Sequence, residues 1–133
     1  FQHDPYLLEE FIEINEDISI VLGSRDFNNN MPIHRILSNK ITSFIISNIC
    51  GMNILDSQCG YRRYKLLHVC SESFIENGFQ FETEVLIKLL GRNNKSLQQL
   101  KIPTIYEQEN SSINNILDTF KFIRLIFRSM FVS

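Results

Sequence analysis

Residues 56–64 read Asp-Ser-Gln-Cys-Gly-Tyr-Arg-Arg-Tyr and lie between two largely apolar stretches. They set a carboxylate (Asp56), an amide (Gln58), a thiol (Cys59), a glycine (Gly60) and two guanidiniums (Arg62, Arg63) within nine positions. These are the side-chain types that move protons, grip anions or attack as nucleophiles. Charged and small residues crowded between apolar flanks mark the rim of a site. Gly60 permits a close backbone approach or a positive φ, and the alternation from Tyr61 to Tyr64 reads as a short strand. A turn leading into an edge strand accounts for the same residues, so both readings stand here. Cys59 is likewise open as a nucleophile or as a packed thiol.

The bulk composition narrows the field. With 133 residues, 44% hydrophobic and 21% charged, the chain suits one globular domain with a moderate core. A net charge of −2 implies no general polyanion-binding surface, so no nucleic acid partner is expected. The three cysteines, Cys50, Cys59 and Cys70, are odd in number and lack C-x-x-C spacing. With no leader-like stretch in view, reduced thiols in the cytosol are expected. The longest mostly apolar run, Ile41 to Leu55, is interrupted by Thr, Ser, Asn and Gly and is too short to span a bilayer. The chain starts at Phe1 and reads as a cut inside a longer protein.

The elements that must position these groups follow in order. Asp4 as N-cap and Pro5 at the first helical position predict a surface helix of about three turns. Its apolar side carries Leu7, Leu8, Phe11, Ile12 and Ile14. Ile18, Ile20, Val21 and Leu22, ending in Gly23-Ser24-Arg25, predict a buried parallel strand. Ser24 and Arg25 then sit at its carboxyl end, which faces the ligand crevice in open α/β sheets. After a polar loop at 27–31, Pro32 opens a long helix closed by Gly51. Its buried side is predicted to hold Ile33, Ile36, Leu37, Ile41, Phe44, Ile45 and Ile49, with Arg35, Ser38 and Asn39 in its first turns.

A short helix is expected around Leu66–Val69, and a further helix from Gly78 to near Gly91. A strand is expected over 97–106; Pro103 within it favours an edge or a bulge. The terminal helix, 115–133, carries Phe120, Ile123, Phe127, Met130 and Phe131 on one side, widened by Phe122, Leu125 and Ile126. Lys121, Arg124 and Arg128 fall on the other. That pattern fits a helix lying on a membrane surface, a helix packed on its own domain, or one covered by a partner helix. Helices alternating with strands, with no repeat and no linker, argue one α/β domain over 1–133.

In this order the pieces resemble the C-terminal half of a family 2 glycosyltransferase of the dolichol- or polyprenyl-phosphate sugar synthase type. Gln2-His3-Asp4-Pro5 resembles the segment after that family's Asp-x-Asp, and Gly23-Ser24-Arg25 the strand end that follows. Pro32, His34-Arg35, Ser38 and Asn39 resemble its next helix. Asp56-x-Gln58-x-Gly60-Tyr61-Arg62 resembles its most diagnostic downstream motif. Gly78-Phe79-x-Phe81-Glu82-x-Glu84, Ile102-Pro103-Thr104-x-Tyr106 and Asp118-Thr119-x-x-Phe122 complete the series.

The resemblance implies a partial GT-A fold, α/β with a mixed sheet and flanking helices, that lacks its nucleotide-binding half. It implies a nucleotide-diphosphosugar donor, a lipid-phosphate acceptor and a divalent metal, Mg or Mn, with Gln2 beside that metal as an oxygen donor. The Asp-x-Asp pair is expected upstream of Phe1, so the fragment is expected to be inactive alone. Arg25 and Arg35 become the phosphate-binding candidates, with Ser38 one turn beyond Arg35 as a further donor. Asp56 becomes the acidic group beside the reacting centre, as a base toward a hydroxyl acceptor or as a positioning group toward a phosphate. Gln58 is expected on sugar or acceptor oxygens, and Arg62 on a carboxylate or a phosphate. Glu82 and Glu84, two apart at a helix start, point to different sides, so at most one faces the site. His34 reads as a packing or loop residue. The implied place of work is the cytoplasmic (or ER) face of a membrane, with the terminal helix on its surface. A hydroxyl acceptor and a non-catalytic docking module are the rival readings.

Overall fold

Ile20, Val21 and Leu22 are fully buried, and they form the centre of strand β1 (Ile20–Arg25). β-Branched and large apolar residues with both faces covered suit a central strand. The computed structural model describes residues 5–27, 31–92, 95–103 and 115–131. Among these, helix α1 (Leu7–Glu13) precedes β1, and α2 (Ile33–Cys50), β2 (Arg62–Tyr64), α3 (Leu66–Cys70), α4 (Phe79–Leu86), β3 (Leu97–Ile102) and α5 (Asn115–Phe131) follow it. α4 runs on into a wider π turn, Ile87–Arg92. The protein is α/β.

β1 lies between the other two strands, so the described sheet is mixed. It pairs antiparallel with β2, Ile20 opposite Tyr64 and Leu22 opposite Arg62. It pairs parallel with β3, Ile20 opposite Leu97 and Arg25 opposite Ile102. β3 ends at Ile102 at the edge of the described sheet; Pro103 is already outside the strand, and 104–106 of the expected strand lie outside the described residues. A proline has no N–H for a ladder, which accounts for the stop. Gly23 has no room for a side chain between its neighbours. A Cβ there would stand 3.0 Å from the Tyr61 carbonyl oxygen and 3.1 Å from Cys59 Sγ.

Helix α2 corrects the sequence reading of its buried side. Ile33, Leu37, Ile41 and Phe44 are exposed, while Asn39, Ser43, Ile46 and Cys50 face inward. Apolar residues occur on every side of α2, so their spacing alone picks no face. What fixes the rotation is the polar pair Asn39 and Ser43, which has partners in the loop after the helix. Gly51 ends α2 in the left-handed region at φ 69°, as its place in the sequence predicts.

Helix α1 is shorter than expected, two turns in place of three. Tyr6 stands at its start with no side-chain cap, and Pro5 contributes a turn in which the Leu8 N–H donates to the Pro5 carbonyl (3.1 Å). Asp4 lies outside the described residues. The far end of α1 is held by Arg63, which donates to the carbonyls of Phe11 (2.7 Å), Ile14 (2.6 Å) and Asn15 (2.7 Å). One guanidinium thereby satisfies carbonyls that a helix end leaves open.

The terminal helix is also rotated relative to a simple amphipathic reading. Leu125 is buried, and Phe122 and Ile126 pack on the core. Phe120, Ile123, Phe127 and Met130 stay exposed. Arg128 does not line a solvated stripe. It pairs with Glu76 (2.8 Å) and Glu84 (3.3 Å), both nearly buried, and Arg124 reaches Glu76 at 3.4 Å. Buried carboxylates need partners, and α5 brings the cations to them. None of the described helices is long and apolar enough to cross a membrane.

Candidate functional site

The carboxyl end of β1 delivers Arg25 to a loop that returns from α2, and there it meets Asp56. Arg25 Nε donates to Asp56 Oδ2 at 2.8 Å, and Nη2 donates to Oδ1 at 3.1 Å. The Arg25 backbone N–H also donates to Oδ2 at 3.0 Å, and Asn39 Nδ2 donates to Oδ1 at 2.6 Å. Four donors on two oxygens fill the lone-pair directions of a carboxylate. Asp56 is 0% exposed, so its charge is compensated wholly inside the protein. Burial pushes its carboxyl upward, but Arg25 and the Asn39 amide outweigh that and hold it below the ordinary range.

The geometry of Asp56 suits a positioning group better than a base, because no oxygen lone pair is left to take a proton. Arg25 is the exposed member of the pair, its side chain 20% accessible. With Nε and Nη2 committed to Asp56, its Nη1 is the guanidinium nitrogen without an acceptor among the described residues.

The remaining candidates fall around this pair. Arg35 is half-buried in the first turn of α2, one turn before Asn39 and so on the side of the helix that meets Asp56. Ser38 is exposed, its carbonyl accepting from Thr42 Oγ1 at 2.8 Å. Gln58 is exposed and rests against the same hydroxyl, Nε2 to Thr42 Oγ1 at 3.4 Å. Gln58 and the Ser38–Thr42 turn are therefore neighbours. Arg62 turns away from solvent. It donates to the carbonyls of Ser57, Cys59 and Glu82 at 2.8 Å each and to the Tyr64 hydroxyl at 3.1 Å. That side chain ties the 56–64 stretch to α4.

Gly60 has no positive φ, which removes that reading of it, and a Cβ there would meet only Glu82 Oε1 at 3.6 Å. Cys59 is buried against Gly23, and burial pushes its thiol up to about 11, which makes it a packing residue. Glu82 and Glu84 do point apart. Glu82 lies beside Gly60, and Glu84 accepts the N–H groups of Ile75 and Glu76 beneath α5. Gln2 lies outside the described residues. Among the described residues no group of three or more His, Cys, Asp or Glu side chains could hold a metal ion. Asp56 has no free lone pair for one.

Sequence reasoning missed Ser43 and Ser57, and it gave Asn39 no task. All three are buried around Asp56. The available signal was a polar pair four apart, Asn39 and Ser43, on a helix rich in Ile. Such a pair inside needs a polar partner, and the 56–64 stretch is the adjacent source of one.

No family model matches this chain, and no solved structure matches it. It is similar to a protein of Methanococcus voltae named UDP-N-acetylglucosamine–dolichyl-phosphate N-acetylglucosaminyltransferase, at 32% identity over 139 residues. That alignment takes in 97% of this chain and 55% of the relative, so the chain spans about half the relative's length.

Proposed function

We propose that this chain is the acceptor-side part of a family 2, GT-A glycosyltransferase. It moves a sugar from a nucleotide-diphosphosugar to a polyprenyl or dolichyl phosphate at the cytoplasmic (or ER) face of a membrane. The name of the M. voltae relative supports this donor and acceptor class. The observation that carries the reading is the Arg25–Asp56 pair, a guanidinium locked in direction by a carboxylate that has no other chemistry left.

A phosphate monoester is already anionic at neutral pH, so its oxygen attacks the anomeric carbon without losing a proton. The new C–O bond forms as the bond from that carbon to the diphosphate breaks. Such an acceptor needs cations and not a base. Arg25 offers Nη1, Arg35 projects from the same side of α2 as Asn39, and Ser38 adds a hydroxyl. A hydroxyl acceptor would need a base, and Asp56 is unsuited to that task. Arg62 and Gln58 shape the rim, Arg62 by bracing the loop and Gln58 from the exposed side.

The exposed apolar residues of α5 (Phe120, Ile123, Phe127, Met130) suit contact with a membrane surface, where a lipid phosphate resides. The resemblance also implies a divalent metal with Gln2 beside it, which would neutralise the departing diphosphate when bound. The test is transfer by the full-length protein from labelled nucleotide sugar to dolichyl phosphate or to dolichol. Label extracted with the phosphate acceptor, and released by mild acid, is expected. Equal labelling of the free alcohol, or none of either, overturns the reading.

A further inference from the structure

Asn39 is fixed at both ends of its amide. Nδ2 donates to Asp56 Oδ1 at 2.6 Å, and Oδ1 accepts from Ser43 Oγ at 3.0 Å. Ser43 Oγ also accepts the Ser57 N–H at 2.9 Å and lies 3.0 Å from Ser57 Oγ. Ser43 has one proton, which Asn39 takes, so the Ser57 hydroxyl must donate to Ser43. The bonds then run one way, from Ser57 through Ser43 to Asn39 and on to Asp56. Asn39, Ser43, Asp56 and Ser57 are all buried. A flipped Asn39 would set its carbonyl oxygen against the carboxylate, and that repulsion holds the amide this way round, with Oδ1 toward Ser43.

The torsion that orients a carboxylate is broad, so Asp56 does not hold its plane unaided. Arg25 grips Oδ2 twice but Oδ1 only through the longer 3.1 Å bond. The short bond from Asn39 is what holds Oδ1 in line. We propose that Asn39, oriented by Ser43 and Ser57, is a positioning residue that sets the plane of Asp56 and thereby aims the Arg25 guanidinium at the acceptor phosphate. The phosphate part of this inference rests on the function proposed above; the aiming of Arg25 does not.

Asn39→Asp keeps the shape and removes the N–H donor. The charged or titratable groups around that spot are Asp56 and Arg25, Arg35 one turn earlier on the same side of α2, and Arg62 and the Cys59 thiol on the loop side. A second buried carboxyl beside Asp56 resists ionisation, so it is protonated at low pH and donates again. In the full-length protein, the affinity of N39D for farnesyl phosphate relative to the parent should fall about tenfold near pH 8 and recover by about pH 5.5. A relative affinity near one at every pH overturns the proposal. So does a loss that pH does not relieve, which is what a mere helix-to-loop staple would show. Solvent exchange of the Arg25 Nε–H, read by 15N NMR, is the second measurement. It should speed up about tenfold in N39D near pH 8 and less in Ser43→Ala, and an unchanged rate overturns the aiming of Arg25. If the parent fails to bind farnesyl phosphate, the acceptor reading falls by itself and the exchange rate still decides the role of Asn39. Should N39D not fold, S43A carries both measurements, with a loss of affinity and faster exchange expected and no change in either overturning the proposal.

Discussion

Arg25 and Asp56 stand 31 residues apart in the chain and meet in two parallel hydrogen bonds, Nε to Oδ2 at 2.8 Å and Nη2 to Oδ1 at 3.1 Å. The pair joins the end of β1 to the loop after α2, so it is a structural clasp as well as the core of the candidate site. Asp56→Asn keeps the volume but cannot satisfy Arg25 and Asn39 together, because one face of the new amide is a donor. Removing one partner of a buried pair costs several kcal/mol, and about 3 kcal/mol is expected here. Urea unfolding measures it; a loss below about 1 kcal/mol would place the pair among ordinary surface contacts.

Acid should weaken the fold in a definite window. Burial alone would raise the Asp56 carboxyl, but Arg25 and Asn39 set it net below the ordinary range. For Glu84, burial also acts upward and is outweighed by the N–H groups of Glu76 and Ile75 and by Lys88. A group lowered in the folded state contributes stability that is complete above its unfolded pKa, about 4, and is lost as pH falls through the folded value. Stability should therefore be level above about pH 5 and drop steeply below about pH 4. Asp56→Asn should flatten part of that drop. A parent curve that stays level into strong acid would contradict the assignment.

Thiol labelling separates the cysteines. Cys50 and Cys59 are buried with thiols pushed up to about 11, whereas Cys70 is exposed. An aromatic disulfide reagent at neutral pH should modify Cys70 quickly and the other two only after denaturation. Fast labelling of Cys59 in the folded protein would restore it as a reactive group.

The Arg63 cap on α1 is testable by hydrogen exchange. Arg63→Ala leaves the carbonyls of Phe11, Ile14 and Asn15 without their guanidinium, a loss of about 1–3 kcal/mol. Faster exchange should be confined to α1 and its junction with β2, and Arg63→Lys should restore part of the protection. Uniform protection in both variants would mean that water replaces the guanidinium without cost.

The order and kind of the elements were legible in the sequence because each carries a local signal. Examples are the β-branched run at Ile20–Leu22, Gly51 after the long helix and Pro103 beyond β3. The rotation of α2 was not legible. Ile33, Leu37, Ile41 and Phe44 mark out an apolar side that is in fact exposed, and Asn39 and Ser43 face inward only because Asp56 and Ser57 receive them. The same holds for α5, whose Arg128 turns inward toward Glu76 and Glu84, some forty to fifty positions earlier in the chain. Arg25 could be assigned to a crevice by its place at a strand end, and Asp56 to the same site through the family resemblance. Their direct pairing could not, since it depends on a side-chain direction that no local pattern encodes.

In the proposed function the clasped Arg25 receives the acceptor phosphate. The most direct measurement is the affinity of the full-length protein for farnesyl phosphate, compared between the parent and Arg25→Gln. Gln keeps much of the side-chain volume and removes the charge and the forked donors. At least a tenfold weaker affinity is expected for Arg25→Gln, the worth of one charge-assisted contact of about 1.5–3 kcal/mol. An affinity equal to the parent's, in a variant shown to be folded, would contradict it.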